Sequence, residues 1–293
     1  TATTEIYTRQ SSSAASDVYK RQDATNGRAV AGIFQAKDRP RFNPLIVHVP
    51  DLEAARELAE IEGDALRLAQ AFWPGPLSLV VPVRPGSGLS DLVTAGLPTV
   101  AVRVPDLPLA RALLGAAGVP VAAPSANPSG RISPTRCEHV LAGLSGRIDA
   151  VLDGGPCAVG LESTIVAAGD TPRLLRPGGL PSEAIEQCLG KPLATGANDT
   201  ITAPGQLASH YAPRGKVRLQ ALAPADGEAM LGFGEVPGDL NLSAGADLAE
   251  AAANLFDHMR RLDDGRDLAV APIPETGLGR AINDRLRRAA ADR

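Results

Sequence analysis

Apolar positions along the chain alternate between helical and strand spacing. Ala29, Val30, Ile33 and Phe34 share one helical stripe behind Asn26, a side chain suited to capping a helix, and Pro40 ends the run. The apolar stretch 44–49 reads as a buried strand, Asp51 as the cap of a helix towards Glu60, and 64–72 as the next helix. Strands are predicted at 77–83, 99–104 and 119–122, with a helix from Asp106 to Leu114 before the last of them. A helix capped by Thr135 runs to about Leu144. Short strands at 150–152, 163–167 and 173–175 follow, and then a helix that Pro181 opens and that ends at Leu189. This alternation predicts an α/β fold, a mixed sheet covered by helices.

Two stretches break the pattern. Residues 1–22 are polar, rich in Ser, Thr and Ala, and aperiodic. They read as a disordered or non-native leader, with ordered structure beginning near Asn26. Residues 191–215 turn to Gly, Pro, Ala, Thr and Asn and read as a linker. It divides a larger domain, 23–190, from a small α/β domain, 216–293. In the latter, strands at 217–219 and 268–271 flank a helix over 247–262, and a last helix spans 278–290. A length of 293 residues agrees with two domains at roughly 100–200 residues each.

Charge narrows the function classes. With 29 Lys+Arg against 33 Asp+Glu, the net charge of −4 excludes nucleic-acid binding by bulk positive charge, so a polyanion must meet a local site. Cys137, Cys157 and Cys188 are widely spaced and form no C-x-x-C. A disulfide framework and a zinc site are both unsupported, and a reducing cytoplasm fits. No apolar run approaches the roughly 18 residues that would make a membrane-helix candidate. The Walker, G-x-G-x-x-G, H-E-x-x-H and G-x-S-x-G patterns are all missing.

Candidate chemistry lies at strand ends and turns. Lys37 and Arg39 end a helix beside a proline-bounded turn, where they either complement the helix dipole or meet phosphate oxygens. His48 alternates out of an apolar strand, as a structural histidine or a ligand contact. Thr99, Ala101 and Arg103 share one strand face, and a mid-strand arginine needs an anion, internal or bound. Trp73-Pro74-Gly75-Pro76 reads as a rigid turn. The loop carrying Ser125, Asn127, Ser129 and Gly130, then Ser133 and Thr135, is either an elaborate turn or an anion site at a strand end before a helix. Adjacent strands would bring Ser163 and Arg176 together. His210 and Tyr211 in the linker suit docking or ligand contact.

Taken together and in order, KDRPRFNPLIVH, WPGPLSLV, TVAVRVP, APSANPSGRISPT, GLESTIV, LLRPG and SHYAP resemble the threonylcarbamoyl-AMP synthase family of the YrdC-like fold. The tail through PETGLGRAIN is similar to the extra C-terminal domain of its long members. The resemblance covers nearly all of the chain after residue 22. Where the family has a strand and a P-T-E-T-V-Y-G-L-G-type segment, Ser16–Gln22 matches only in Val18-Tyr19. Asp38 also sets a negative charge among the cations of the first motif.

The resemblance implies an α/β, YrdC-like twisted mixed sheet with flanking helices, plus a small C-terminal Rossmann-like α/β domain, with the linker packed over the active site. It implies a cytoplasmic nucleotidyltransferase. Its substrates would be ATP with Mg²⁺, L-threonine and bicarbonate, its products pyrophosphate and threonylcarbamoyl-AMP for position 37 of tRNA. Lys37 and Arg39 would be catalytic. Arg39, Asn43, Thr99, Ser125, Asn127, Ser133, Arg176, His210 and Tyr211 would bind ATP, and His48, Arg103 and Ser163 would bind threonine. No protein metal ligand is implied. The partner implied downstream is the tRNA threonylcarbamoyl-transferase machinery, with weak RNA binding besides. Two rival readings are a non-catalytic RNA- or nucleotide-binding module and a carbamoyl-transfer relative.

Overall fold

The computed structural model describes residues 22–40, 42–195, 203–204 and 209–292. The first unit is built on a seven-stranded mixed sheet. Its strands are β1 (Gln22–Asp23), β2 (Ile46–His48), β3 (Leu77–Pro82), β4 (Thr99–Arg103), β5 (Val121–Ala122), β6 (Thr164–Ala167) and β7 (Arg173–Arg176), in the order β1-β5-β2-β4-β3-β6-β7. β2 and β4 are parallel, as are β3 and β6; the remaining neighbours are antiparallel.

The helices of this unit are α1 (Gly27–Lys37), α2 (Leu52–Leu58), α3 (Gly63–Phe72), α4 (Asp91–Thr94), α5 (Pro108–Ala117), α6 (Cys137–Leu144) and α7 (Ser182–Leu189). Asn26 and Asp51 cap α1 and α2 with their side chains, as their sequence positions predict. Asp106 and Thr135 do not act as caps. α5 starts at Pro108, whose fixed φ suits a first turn, and α6 starts after Arg136. Thr135 instead donates its backbone N–H to His139 Nδ1 at 3.2 Å. Residues 150–152 join neither sheet. Gln22–Asp23 already pairs with β5, ahead of the expected start at Asn26, because two residues are too few to display a period. The rest of the expected leader, and linker residues 196–202 and 205–208, lie outside the described residues.

Alternation along the strands gives the sheet two unlike faces. One buries Val47, Val100, Val102, Leu77, Leu79, Val81 and Val166 under α1, α2, α3 and α7. The other carries a small apolar floor of Ile46, Val80, Ala101, Ile165 and Leu175, on which Ala203 of the linker packs. A register shift between β6 and β7 pairs Ile165 with Arg176 and Val166 with Leu174, and the extra residue, Leu175, turns Arg176 onto this second face.

The second unit has an all-parallel sheet of β8 (Val217–Arg218), β9 (Ala229–Gly232), β10 (Leu240–Asn241) and β11 (Leu268–Val270), ordered β10-β9-β11-β8, with α8 (Leu248–Arg261) and α9 (Leu278–Ala290). Its core extends into the first unit at Ile132 and Leu161 and takes in Tyr211 of the linker. At this seam Gly160 has a φ of +71°, and a Cβ there would lie 2.0 Å from the carbonyl oxygen of Ala252 in α8. No helix among the described residues is long and apolar enough to cross a membrane. Gly160→Ala should therefore lose stability by at least the ~1–3 kcal/mol of a strained backbone. Gly169→Ala, where a Cβ meets nothing within 4 Å, should change it by less than about 0.5 kcal/mol. Urea unfolding of both variants checks this, and equal losses would contradict the close approach.

Candidate active site

The second sheet face ends in polar side chains. His48 and Arg103 are register partners on β2 and β4, and both are fully buried. Arg103 donates through Nε to the carbonyl of Gly75 at 3.0 Å, in the turn before β3. Ser78 on β3 lies 2.8 Å, Oγ to Oγ, from Ser163, which precedes β6. Arg176 bonds the same residue three times: Nε and Nη2 reach the carbonyl of Ser163 at 3.1 and 2.7 Å, and Nη2 reaches its hydroxyl at 3.2 Å. The adjacency expected of Ser163 and Arg176 is thus present.

Beside this row lies a cavity lined by Arg39, Ile46, Ala123, Pro124, Ser125, Glu162, Arg176, Pro204, His210 and Tyr211. The turn after α1 presents Arg39 there, held by the carbonyl oxygens of Pro44 at 2.9 Å and Asn43 at 3.4 Å. Burial and the neighbouring Arg176 draw its guanidinium down to about 10. Lys37 is buried at the end of α1 and donates Nζ to the carbonyls of Ser125 and Asn127. Burial and Arg39 lower its affinity for a proton well below the usual lysine range. Asn43 and Asn127 are buried, each with a side-chain oxygen that has no hydrogen-bond partner among the described residues. Asn127 Nδ2 is held by the carbonyls of Arg131 and Pro128 at 2.8 and 3.1 Å. Thr99 shares the face of Arg103 at the start of β4, opposite Pro82 and two residues before Ala101, the register partner of cavity-lining Ile46.

One carboxylate stands among these cations. Glu162 accepts from Ser133 Oγ at 2.8 Å and from Arg285 Nε of α9 at 2.7 Å. Burial raises its pKa, but Arg285 and Arg176 overcome that and hold it down at about 2. Burial together with Lys37 and Arg39 pushes His210 down to about 3 against the opposing pull of Glu162, so its ring is neutral at neutral pH. Burial pushes Tyr211 up to about 12. Tyr211 has a φ of +63°, packs 5.2 Å from the Phe256 ring, and lies under the Arg285 guanidinium at 5.4 Å.

Sequence reasoning missed Ser78, Glu162 and Arg285 as parts of the site. Arg285 had a signal: it falls in the apolar stripe Ala281, Ile282, Leu286, Ala289 of α9, where a charge must find a buried partner. Glu162 had one too, an acid set inside the otherwise apolar or hydroxylic run Leu161 to Val166. Ser78 sits in a strand of aliphatic residues and is indistinguishable there from a satisfied core serine.

Two family models match the chain: "Telomere recombination" (Sua5, YciO and YrdC) over residues 22–178 and "Threonylcarbamoyl-AMP synthase, C-terminal domain" over 180–291. The chain belongs to the threonylcarbamoyl-AMP synthase family, in its long form. It is 42% identical to the threonylcarbamoyl-AMP synthase of Bacillus subtilis strain 168, with 92% of this chain and 86% of that protein covered. For the Pyrococcus abyssi enzyme the figures are 40%, 92% and 87%. The crystal structure of P. abyssi Sua5 complexed with L-threonine superposes with a TM-score of 0.87 at 35% identity, covering 97% of this chain and 90% of that one. The YrdC-like sheet and the C-terminal domain expected of a long family member are both present.

Glu162 is a buried acid whose pKa lies below the ordinary glutamate value of 4.5, so its ionised form adds stability above that value and loses it as pH falls towards 2. Between pH 5 and pH 2.5 the urea midpoint of the native chain should therefore fall further than that of Glu162→Gln. Parallel curves would mean that Glu162 is not held ionised by its arginines.

Proposed function

We propose that this chain makes threonylcarbamoyl-AMP and pyrophosphate from L-threonine, bicarbonate and ATP. The observation that carries the reading is the convergence of Arg39, Ser125, Arg176, His210 and Tyr211 on one cavity that adjoins the row His48, Arg103, Ser78 and Ser163. Three reactants that are anionic or carry carboxylates need such a surplus of buried cations, held rigid by main-chain carbonyls.

In this reading Arg103 and His48 receive threonine, with Ser163 against it, and Lys37, Arg39 and Arg176 receive the phosphates. Asn43, Ser125, Asn127, Ser133, His210 and Tyr211 surround the nucleotide, and Thr99 stands at the rim. The threonine amine takes up bicarbonate as a carbamate with loss of water. A carbamate oxygen then bonds to the α-phosphorus as the bond from that phosphorus to the pyrophosphate oxygen breaks. No protein nucleophile is needed, so the chain contributes position and charge. Juxtaposition alone is worth up to ~7–11 kcal/mol of the barrier.

Mg²⁺ would arrive on the ATP phosphates as part of the substrate. Among the described residues no cluster of three or more His, Cys, Asp or Glu is placed to hold a metal ion, and both oxygens of the cavity's carboxylate are engaged. The product would pass to the tRNA threonylcarbamoyl-transferase machinery in the cytoplasm, and any RNA contact of this acidic chain would be weak.

Arg39→Ala and Arg176→Ala should each lower pyrophosphate release at least ~100-fold while the melting temperature stays within a few degrees. Native release should require threonine and bicarbonate together with ATP. Wild-type rates in the variants would remove both arginines from the mechanism. RNA affinity with steep salt dependence and no turnover would favour a binding module, and use of carbamoyl phosphate without threonine a carbamoyl-transfer enzyme.

A further inference from the structure

We propose that Arg285, on the last helix of the C-terminal domain, is a positioning residue for the nucleotide cavity of the first domain and acts through Glu162. This rests on the reading of that cavity given above. Arg285 is fully buried and stands behind Glu162, outside the lining of the cavity itself. Its Nε donates to Glu162 Oε2 at 2.7 Å and its Nη1 to Asp284 at 2.6 Å. The face of its guanidinium covers Tyr211, which also lines the cavity. Glu162 passes the constraint on: its other oxygen accepts the Ser133 proton at 2.8 Å. A hydroxyl whose proton is committed in this way presents only lone pairs to a ligand.

A carboxylate inside a cavity that collects a triphosphate repels its own ligand unless a cation neutralises it. Arg176 adds positive charge near Glu162 from β7, but its Nε and Nη2 bond Ser163 rather than the carboxylate. Arg285 supplies a full charge at hydrogen-bond distance, from a direction the ligand does not occupy. It thereby leaves Lys37, Arg39 and Arg176 for the phosphates. Burying an ion pair is no general source of stability, whereas removing one partner leaves a buried charge without compensation. The C-terminal domain therefore contributes a charge to the nucleotide site without touching the nucleotide.

The surrounding contacts hold α8 and α9 in register for this. Arg260 donates Nε to the carbonyl of Ser133 at 3.1 Å and Nη2 to that of Ile132. Gly277, just before α9, donates its N–H to Glu183 of α7 at 3.2 Å, and Arg280 Nη1 donates to Ser182 at 3.1 Å.

The test is a double-mutant cycle on the full chain with Arg285→Met and Glu162→Gln, read as pyrophosphate release with ATP and threonine varied in turn. Arg285→Met should raise KM for ATP at least tenfold and leave KM for threonine within twofold. Added to Glu162→Gln, the same change should move KM for ATP by less than twofold, since the charge it compensates is gone. An equal ATP shift in both backgrounds, no shift in the native background, or an equal shift for threonine would overturn the proposal. If Arg285→Met alone does not fold, the double variant, which buries no lone charge, is compared with Glu162→Gln; a KM for ATP raised more than twofold again overturns it. Calorimetric titration with a non-hydrolysable ATP analogue reads the same shift without turnover. An inactive native chain would then count against synthesis, while the analogue's Kd still decides on Arg285.

Discussion

The structure turns on crowding positive charge. Lys37, Arg39, Arg103 and Arg176 are all buried at one end of one sheet face, and Lys37, Arg39 and Arg176 repel one another in a region shielded from water. Main-chain carbonyls hold each of them. Lys37 rests on Ser125 and Asn127, Arg39 on Asn43 and Pro44, Arg103 on Gly75, and Arg176 on Ser163. Carbonyl dipoles orient a cation without cancelling its charge. The face therefore stays electropositive and rigid, as the proposed binding of a polyanion requires.

That requirement explains the shape of the loops. Proline lies in or beside the turns that deliver most of these carbonyls, at Pro40, Pro44, Pro74, Pro76, Pro124 and Pro128, and each fixes a short backbone segment near a strand end. The bulge at Leu175 serves the same end by turning Arg176 onto the cavity side. The sheet's other face is an ordinary aliphatic core under helices, and it provides the rigidity against which the cations are placed.

Much of this was legible in the amino-acid order. The cations and hydroxyls stood out because they interrupted apolar strands or crowded proline-bounded turns, where an idle polar group is costly. Helices with a strong period, α8 and α9 above all, were readable almost to the residue. The short strands β1, β9 and β10 and the single turn α4 were not, since two to four residues carry no period; sheet pairing defines the strands. The caps expected of Asp106 and Thr135 failed where a better local partner, Pro108 or His139, was available. The contribution of Glu162 and Arg285 was hidden for a different reason: 123 residues separate the partners, and only the packed fold brings them together.

The account stands or falls on where the ligands sit. A crystal structure of the chain with L-threonine and a non-hydrolysable ATP analogue measures this directly. The account predicts the threonine carboxylate against Arg103 and His48, the phosphates against Lys37, Arg39 and Arg176, and the α-phosphorus facing the threonine amine. A nucleotide seated on the C-terminal sheet, or a threonine remote from Arg103, would contradict it.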